Sequence, residues 1–107
     1  MTNPTTLETI AKDIKNHRVI LFMKGSKLMP VCGFSAQVVN ILNKHSVPYE
    51  TRNVLTDDSL RSNIKTFSDW PTIPQLYIDE TFIGGCDIIC QLDEAGDLAP
   101  LLKGASV

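Results

Sequence analysis

The residues best suited to chemistry in this chain are Cys32-Gly33-Phe34-Ser35, which follow the apolar run Val19-Ile20-Leu21-Phe22-Met23 and precede a helical stretch. A cysteine at a strand-to-helix junction receives the amide donors and the positive dipole end of the helix, and both favour thiolate over thiol. Ser35 stands where a CxxC redox motif carries its second sulfur. Cys32 is therefore expected to be an activated nucleophile without a local disulfide partner, one that reacts with or binds something from outside the chain. The competing reading is a buried structural thiol, common for free cysteine; the helix-start position beside a loop favours exposure instead. Lys24 lies at the carboxyl end of the same apolar run, where α/β sheets place ligand contacts, although any single lysine also reads as a solvated charge.

The elements that must position these residues follow from periodicity. Thr5 and Glu8 fit a capping box, and Leu7, Ile10, Ala11 and Ile14 then share one face, predicting a first helix to about Asn16. Val19 to Met23 is apolar on both faces, as a central strand requires. Lys24 to Val31 is a loop, and Gly33 to about Lys44 a helix that packs Val38, Val39, Ile41 and Leu42 on the sheet. Tyr49 to Val54 reads as a second strand, parallel to the first because a helix intervenes. A helix from about Asp57 to Phe67 follows, with Leu60, Ile64 and Phe67 on one face. Gln75 to Ile78 and Thr81 to Ile83 form a hairpin across Asp79-Glu80, and Gly84-Gly85 precede a helix from about Asp87 through Leu92. The order α-β-α-β-α-β-β-α joins a βαβ unit to a ββα unit, which predicts an α/β fold with a small mixed sheet flanked by helices.

Composition narrows the function classes. At 107 residues the chain suits one domain, residues 1–107, and 43% hydrophobic with 21% charged residues is ordinary for a globular protein. A formal net charge of -2 without a basic run argues against nucleic-acid binding. The longest apolar stretch, Val19 to Met23, is far too short to span a membrane. Three cysteines, an odd number, suit free thiols in a reducing compartment. Met1 to Thr6 shows neither a secretory nor an organelle-targeting pattern, so a cytoplasmic protein is expected, or a processed matrix-type one. His17 and His45 lie near helix ends and read as surface residues without partners.

Four separated motifs in order, Phe-Met-Lys-Gly (22–25), Cys-Gly-Phe-Ser (32–35), Trp-Pro-Thr-Ile-Pro-Gln (70–75) and Gly-Gly-Cys-Asp (84–87), resemble the monothiol, CGFS-type glutaredoxins. That resemblance spans Val19 to about Leu92 and implies the thioredoxin fold with a four-stranded sheet. Two departures stand out. The family usually places Asp-Gly at the hairpin tip, whereas Asp79-Glu80 is here; glutamate tolerates positive φ poorly, so another turn type or a longer loop is expected. The loop Ser26-Lys27-Leu28-Met29-Pro30 has the family's length but less typical residues.

The resemblance implies a glutathione site with Cys32 as its redox-active centre. Lys24 and Arg61 would hold one carboxylate of glutathione, with Lys24 also stabilising the thiolate; exposed helix charge is the alternative for Arg61. Lys65, one turn on, reads rather as solvated. Ile73-Pro74 corresponds to the cis-proline step of the fold, with the Ile73 backbone pairing with the ligand's cysteinyl backbone. The amides of Cys86 and Asp87 suit the γ-glutamyl carboxylate, and the Asp87 side chain its ammonium or simply an N-cap. Phe34 either shields the thiolate or fills the rim, and Ser35 is expected to donate to the sulfur. Trp70 and Pro71 read as packing and turn residues. Cys90 reads as core, and a zinc site at Cys86 and Cys90 lacks a placed histidine.

Two function classes follow, with the carrier favoured. A [2Fe-2S] cluster needs four ligands, ordinarily thiolates. Cys32 from each of two chains and two bound glutathione thiols would supply them, so the cluster would bridge a homodimer and remain labile. By resemblance, the partners would be BolA-like proteins and iron-sulfur acceptor proteins. In the second class the chain is a glutathione-dependent thiol-disulfide oxidoreductase that removes glutathione from mixed disulfides, with Cys86 available as a resolving thiol. The family's longer active-site loop goes with poor reductase activity, which favours the carrier. A weaker third class is a redox-sensing adaptor without iron.

Overall fold

The computed structural model describes residues 5–104, and the expectation for the first residues falls largely outside them. Five helices, α1 (Leu7–Asn16), α2 (Gly33–Lys44), α3 (Asp58–Ser68), α4 (Cys86–Ala95) and α5 (Leu98–Lys103), flank four strands, β1 (Val19–Met23), β2 (Glu50–Asn53), β3 (Gln75–Ile78) and β4 (Thr81–Gly84). The sheet order is β2-β1-β3-β4, with β2 parallel and β3 antiparallel to β1, and β4 antiparallel to β3.

The central strand explains the layering. All five residues of β1 are buried. Because side chains alternate across a strand, Val19, Leu21 and Met23 face a cluster that includes Val38 and Leu42 of α2, Ile89 of α4 and Leu98 and Leu102 of α5. Ile20 and Phe22 face the other layer, with Ile10 and Ile14 of α1, Leu60 and Ile64 of α3 and Tyr77 of β3. This is the thioredoxin-type α/β arrangement. The loop after β1 and the start of α2 therefore emerge together at the carboxyl end of a strand fixed from both sides.

Several boundaries differ from the sequence reading. The first capping box uses Thr6 and Thr9, not Thr5 and Glu8: Thr6 Oγ1 accepts from the Thr9 amide at 3.2 Å, and Thr9 Oγ1 accepts from the Thr6 amide at 2.9 Å. Thr5 instead donates to Asp57 Oδ2, tying the start of α1 to the cap of α3. The hairpin has a two-residue tip in which Asp79 and Glu80 both take positive φ, 50° and 65°. That is the signature of a type I′ turn, adopted without glycine, because it matches the twist of β3 and β4. The last helix of the sequence reading runs to Ala95 rather than Leu92, and Gly96 ends it at φ 80°. α5 was not expected. It is a short segment interrupted by Pro100, held by burial of Leu98 and Leu102.

The histidines are not free surface residues. His45 Nε2 lies 2.6 Å from Asp93 Oδ1, and Lys44 Nζ lies 2.5 Å from Asp93 Oδ2, so the end of α2 is pinned to α4. On the other face Arg52 grips Asp13 with two bonds of 2.7 Å, and His17 stands 3.5 Å from the same carboxylate.

Candidate functional site

Cys32 is the N-cap of α2, in extended conformation with φ -136° and ψ 134°, and it is partly exposed. Its thiol is held below the ordinary cysteine range. The Ser35 backbone amide is the main cause; partial burial opposes it, and the Phe34 amide, the Ser35 hydroxyl and the Lys24 charge add to the lowering. The helix start thus stabilises the thiolate more than the lysine does. Ser35 itself is fully buried, and its Oγ accepts the Lys24 amide at 3.1 Å. The hydroxyl therefore serves the loop as well as the sulfur.

The loop that carries Lys24 is closed on itself. Val31 N donates to Lys24 O at 3.1 Å, and Ser26 and Met29 exchange two backbone bonds of 3.1 and 3.2 Å. Gly25, at φ 93°, fits here because a Cβ would lie 2.6 Å from Met29 O and 2.7 Å from Val31 N. Asn53 at the end of β2 accepts from the Gly25 amide at 3.0 Å. Lys27 donates to Tyr49 O at 2.7 Å while covering that ring. The atypical residues of this loop leave Leu28, Met29 and Val31 exposed beside Cys32, and Phe34 is 61% exposed. The rim around the sulfur is apolar.

A groove of about 190 Å³ runs between the start of α4 and the segment before β3. Phe34, Ile73, Pro74, Cys86 and Asp87, five residues singled out from sequence, line it together. The Ile73–Pro74 bond is cis, and Gly85 caps α4 without a side-chain bond. The first-turn amides of α4 are thus oriented as a helix start presents them to an anion. Lys24 approaches Cys32 closely enough to act on its charge. Arg61 is exposed on α3 and Lys65 is half-buried one turn on; neither lines the groove.

Sequence reasoning gave no site role to Trp70, Thr72 or Gln75. Trp70 does pack, on Phe82 at 5.8 Å, but it also lines the groove with Thr72. Its buried Nε1 has no partner among the described residues. Gln75, fully buried, explains the end of its motif: Nε2 donates to Trp70 O and Thr72 O, both at 3.2 Å, and Oε1 accepts from Tyr77 at 3.2 Å. A glutamine opening an otherwise apolar strand was the available signal, since a buried amide must be bonded. Cys86 is buried, and desolvation, with Cys90 beside it, pushes its thiol up to about 11. Cys90 is half-buried rather than fully in the core.

Comparisons with known proteins agree with this geometry. Residues 19–83 match the family model described as Glutaredoxin. The chain is 52% identical over 107 residues to "Probable monothiol glutaredoxin 2" of Rickettsia prowazekii (strain Madrid E), covering 100% of both. The chain belongs to the monothiol glutaredoxin family. Among solved structures, this glutaredoxin matches that of reduced poplar apo GrxS14 at TM-score 0.80 and 46% identity, over 92% of this chain and 90% of that one. It matches a monomeric truncated mutant of Trypanosoma brucei 1-C-Grx1 at TM-score 0.85 and 35% identity, over 96% and 94%. The four motifs of this monothiol glutaredoxin thus lie around one groove and one thiol.

Proposed function

We propose that this monothiol glutaredoxin binds glutathione in the groove beside Cys32 and, as a homodimer, carries a [2Fe-2S] cluster as cargo for delivery to acceptor proteins. One observation carries the reading: the position of a second active-site sulfur is a buried serine hydroxyl already engaged by the Lys24 amide. Cys32 is thereby a partly exposed, thiolate-favouring ligand without a local partner. Among the described residues no three His, Cys, Asp or Glu side chains converge as a metal site. A four-thiolate cluster would then draw its other ligands from a second chain and from glutathione.

The groove supports the glutathione part. The Ile73 backbone at its wall would pair with the cysteinyl unit of the tripeptide, and the Cys86 and Asp87 amides would take the γ-glutamyl carboxylate. Lys24 would take the other carboxylate, with Arg61 reaching in from α3. The apolar rim of Leu28, Met29, Val31 and Phe34 suits contact between two chains or with an acceptor. BolA-like partners belong to the same proposal through the family resemblance, and a cytoplasmic setting through the odd number of cysteines, which suits a reducing compartment. The described helices include none long and apolar enough to cross a membrane.

Anaerobic reconstitution with iron, sulfide and glutathione tests the proposal. The expected product is a coloured dimer that bleaches to monomer when glutathione is withdrawn and fails to form with Cys32→Ser. A colourless monomer that rapidly reduces glutathione mixed disulfides would replace the carrier with the oxidoreductase.

A further inference from the structure

Two sulfur side chains take no part in the cluster proposal. Cys86 and Cys90 lie one turn apart on α4, and their Sγ atoms approach to 4.0 Å. Cys86 is buried at the groove, whereas Cys90 opens onto a separate depression between α2 and α4, beside Gln37, Asn40, Lys44, Asp93 and Glu94. Gln37 reaches across from α2, and its Oε1 accepts from Cys86 Sγ at 3.3 Å. Two thiols and an amide oxygen thus meet beside this depression, which Gln37 and Cys90 line directly while Cys86 stands behind Cys90.

We infer that Cys86 and Cys90 form a dithiolate site for one soft monovalent cation of the Cu(I) type, entered through the α2–α4 depression. With both sulfurs at a typical metal–thiolate distance of about 2.3 Å, their 4.0 Å separation subtends an S–metal–S angle of about 120°. No movement of the helix is required. Thiolates select soft cations, and Cu(I) is satisfied by two or three of them. Zinc prefers a closed set of four, and no third His, Cys, Asp or Glu joins this pair among the described residues.

Binding is a proton exchange without a redox step: each thiol gives up its proton as its sulfur bonds the cation, so one cation displaces two protons. Affinity therefore rises with pH. The contacts of Lys44 and His45 with Asp93 tie α2 to α4 at the edge of this depression.

The site is tested in the full chain carrying Cys32→Ser, so that the active-site sulfur contributes nothing and the outcome is independent of the cluster proposal. Under anaerobic, glutathione-free conditions the protein competes for Cu(I) held by bicinchoninate, with its fold verified by far-ultraviolet circular dichroism. One Cu(I) per chain should leave the dye, with a thiolate-to-copper absorption band and proton release. Adding Cys90→Ala, or in a separate chain Cys86→Ser, should weaken retention by at least the roughly 10–100-fold that loss of an outer-shell partner costs. Failure of the Cys32→Ser chain to withdraw copper, or unchanged affinity in both added variants, would overturn the assignment.

Discussion

Ser35 Oγ accepts the Lys24 amide at 3.1 Å, joining the end of β1 to the first turn of α2 at the last position of the Cys-Gly-Phe-Ser motif. The same hydroxyl lowers the Cys32 pKa alongside the stronger backbone amide of Ser35. Serine here is a brace for the loop as well as the absence of a cysteine.

Ser35→Ala should therefore act twice. Leaving the Lys24 amide unbonded should cost about 1–3 kcal/mol of stability. Losing the hydroxyl should raise the pH midpoint of Cys32 alkylation toward the roughly 8.5 of a free cysteine. Lys24→Gln should move that midpoint less, because its charge is the smallest of the contributions. Iodoacetamide at pH 7.5, followed by peptide mass spectrometry, should label Cys32 well before Cys86, whose pKa lies near 11. Equal labelling rates would contradict this ordering.

Gly25→Ala should disturb the loop directly. A Cβ would meet two backbone atoms at 2.6 and 2.7 Å, and φ 93° is disfavoured for any other residue. The expected cost is on the order of 2 kcal/mol, or a fall in Tm of roughly 10 °C. A wild-type melting curve would show that the loop relaxes at no cost.

Glu80→Gly should do the opposite. Glu80 at φ 65° occupies a turn position that glycine adopts without steric penalty. A gain of about 0.5–1 kcal/mol is expected in urea denaturation, with m unchanged. An unchanged midpoint would mean that the left-handed conformation is already compensated.

Asp93 links stability to pH. Its carboxyl is held below the ordinary range by hydrogen bonds from Lys44 first and His45 second. A depressed carboxylate contributes fully above its unfolded pKa of about 3.9 and loses that contribution as pH falls through the lower folded value. Asp93→Asn should thus cost about 1 kcal/mol at pH 7, the exposed lysine being screened. The gap between variant and wild type should close as pH falls below the unfolded value and on through the lower folded one. A gap of constant size down to pH 2 would remove the ion pair from the account.

Much of this was legible in the sequence because its signals are local. Five apolar residues marked β1, and the Cys32-Gly33 junction marked the start of α2 to the residue. Phe34, Ile73, Pro74, Cys86 and Asp87 were brought to one groove by motif order. What was missed is non-local or too short to show a period. His45 meets a carboxylate 48 residues away. α5 spans six residues with a proline inside, so burial alone reveals it. The Asp79-Glu80 turn was misjudged because strand twist outweighed the local cost of positive φ.

Trp70 is the sole tryptophan of the chain, and its indole borders the groove with an N–H that has no partner among the described residues. Tryptophan emission, excited at the red edge where the two tyrosines absorb little, therefore reads that groove. A titration with glutathione followed by the wavelength and intensity of emission should report occupancy without any added label. A flat trace at saturating tripeptide would place the binding event elsewhere.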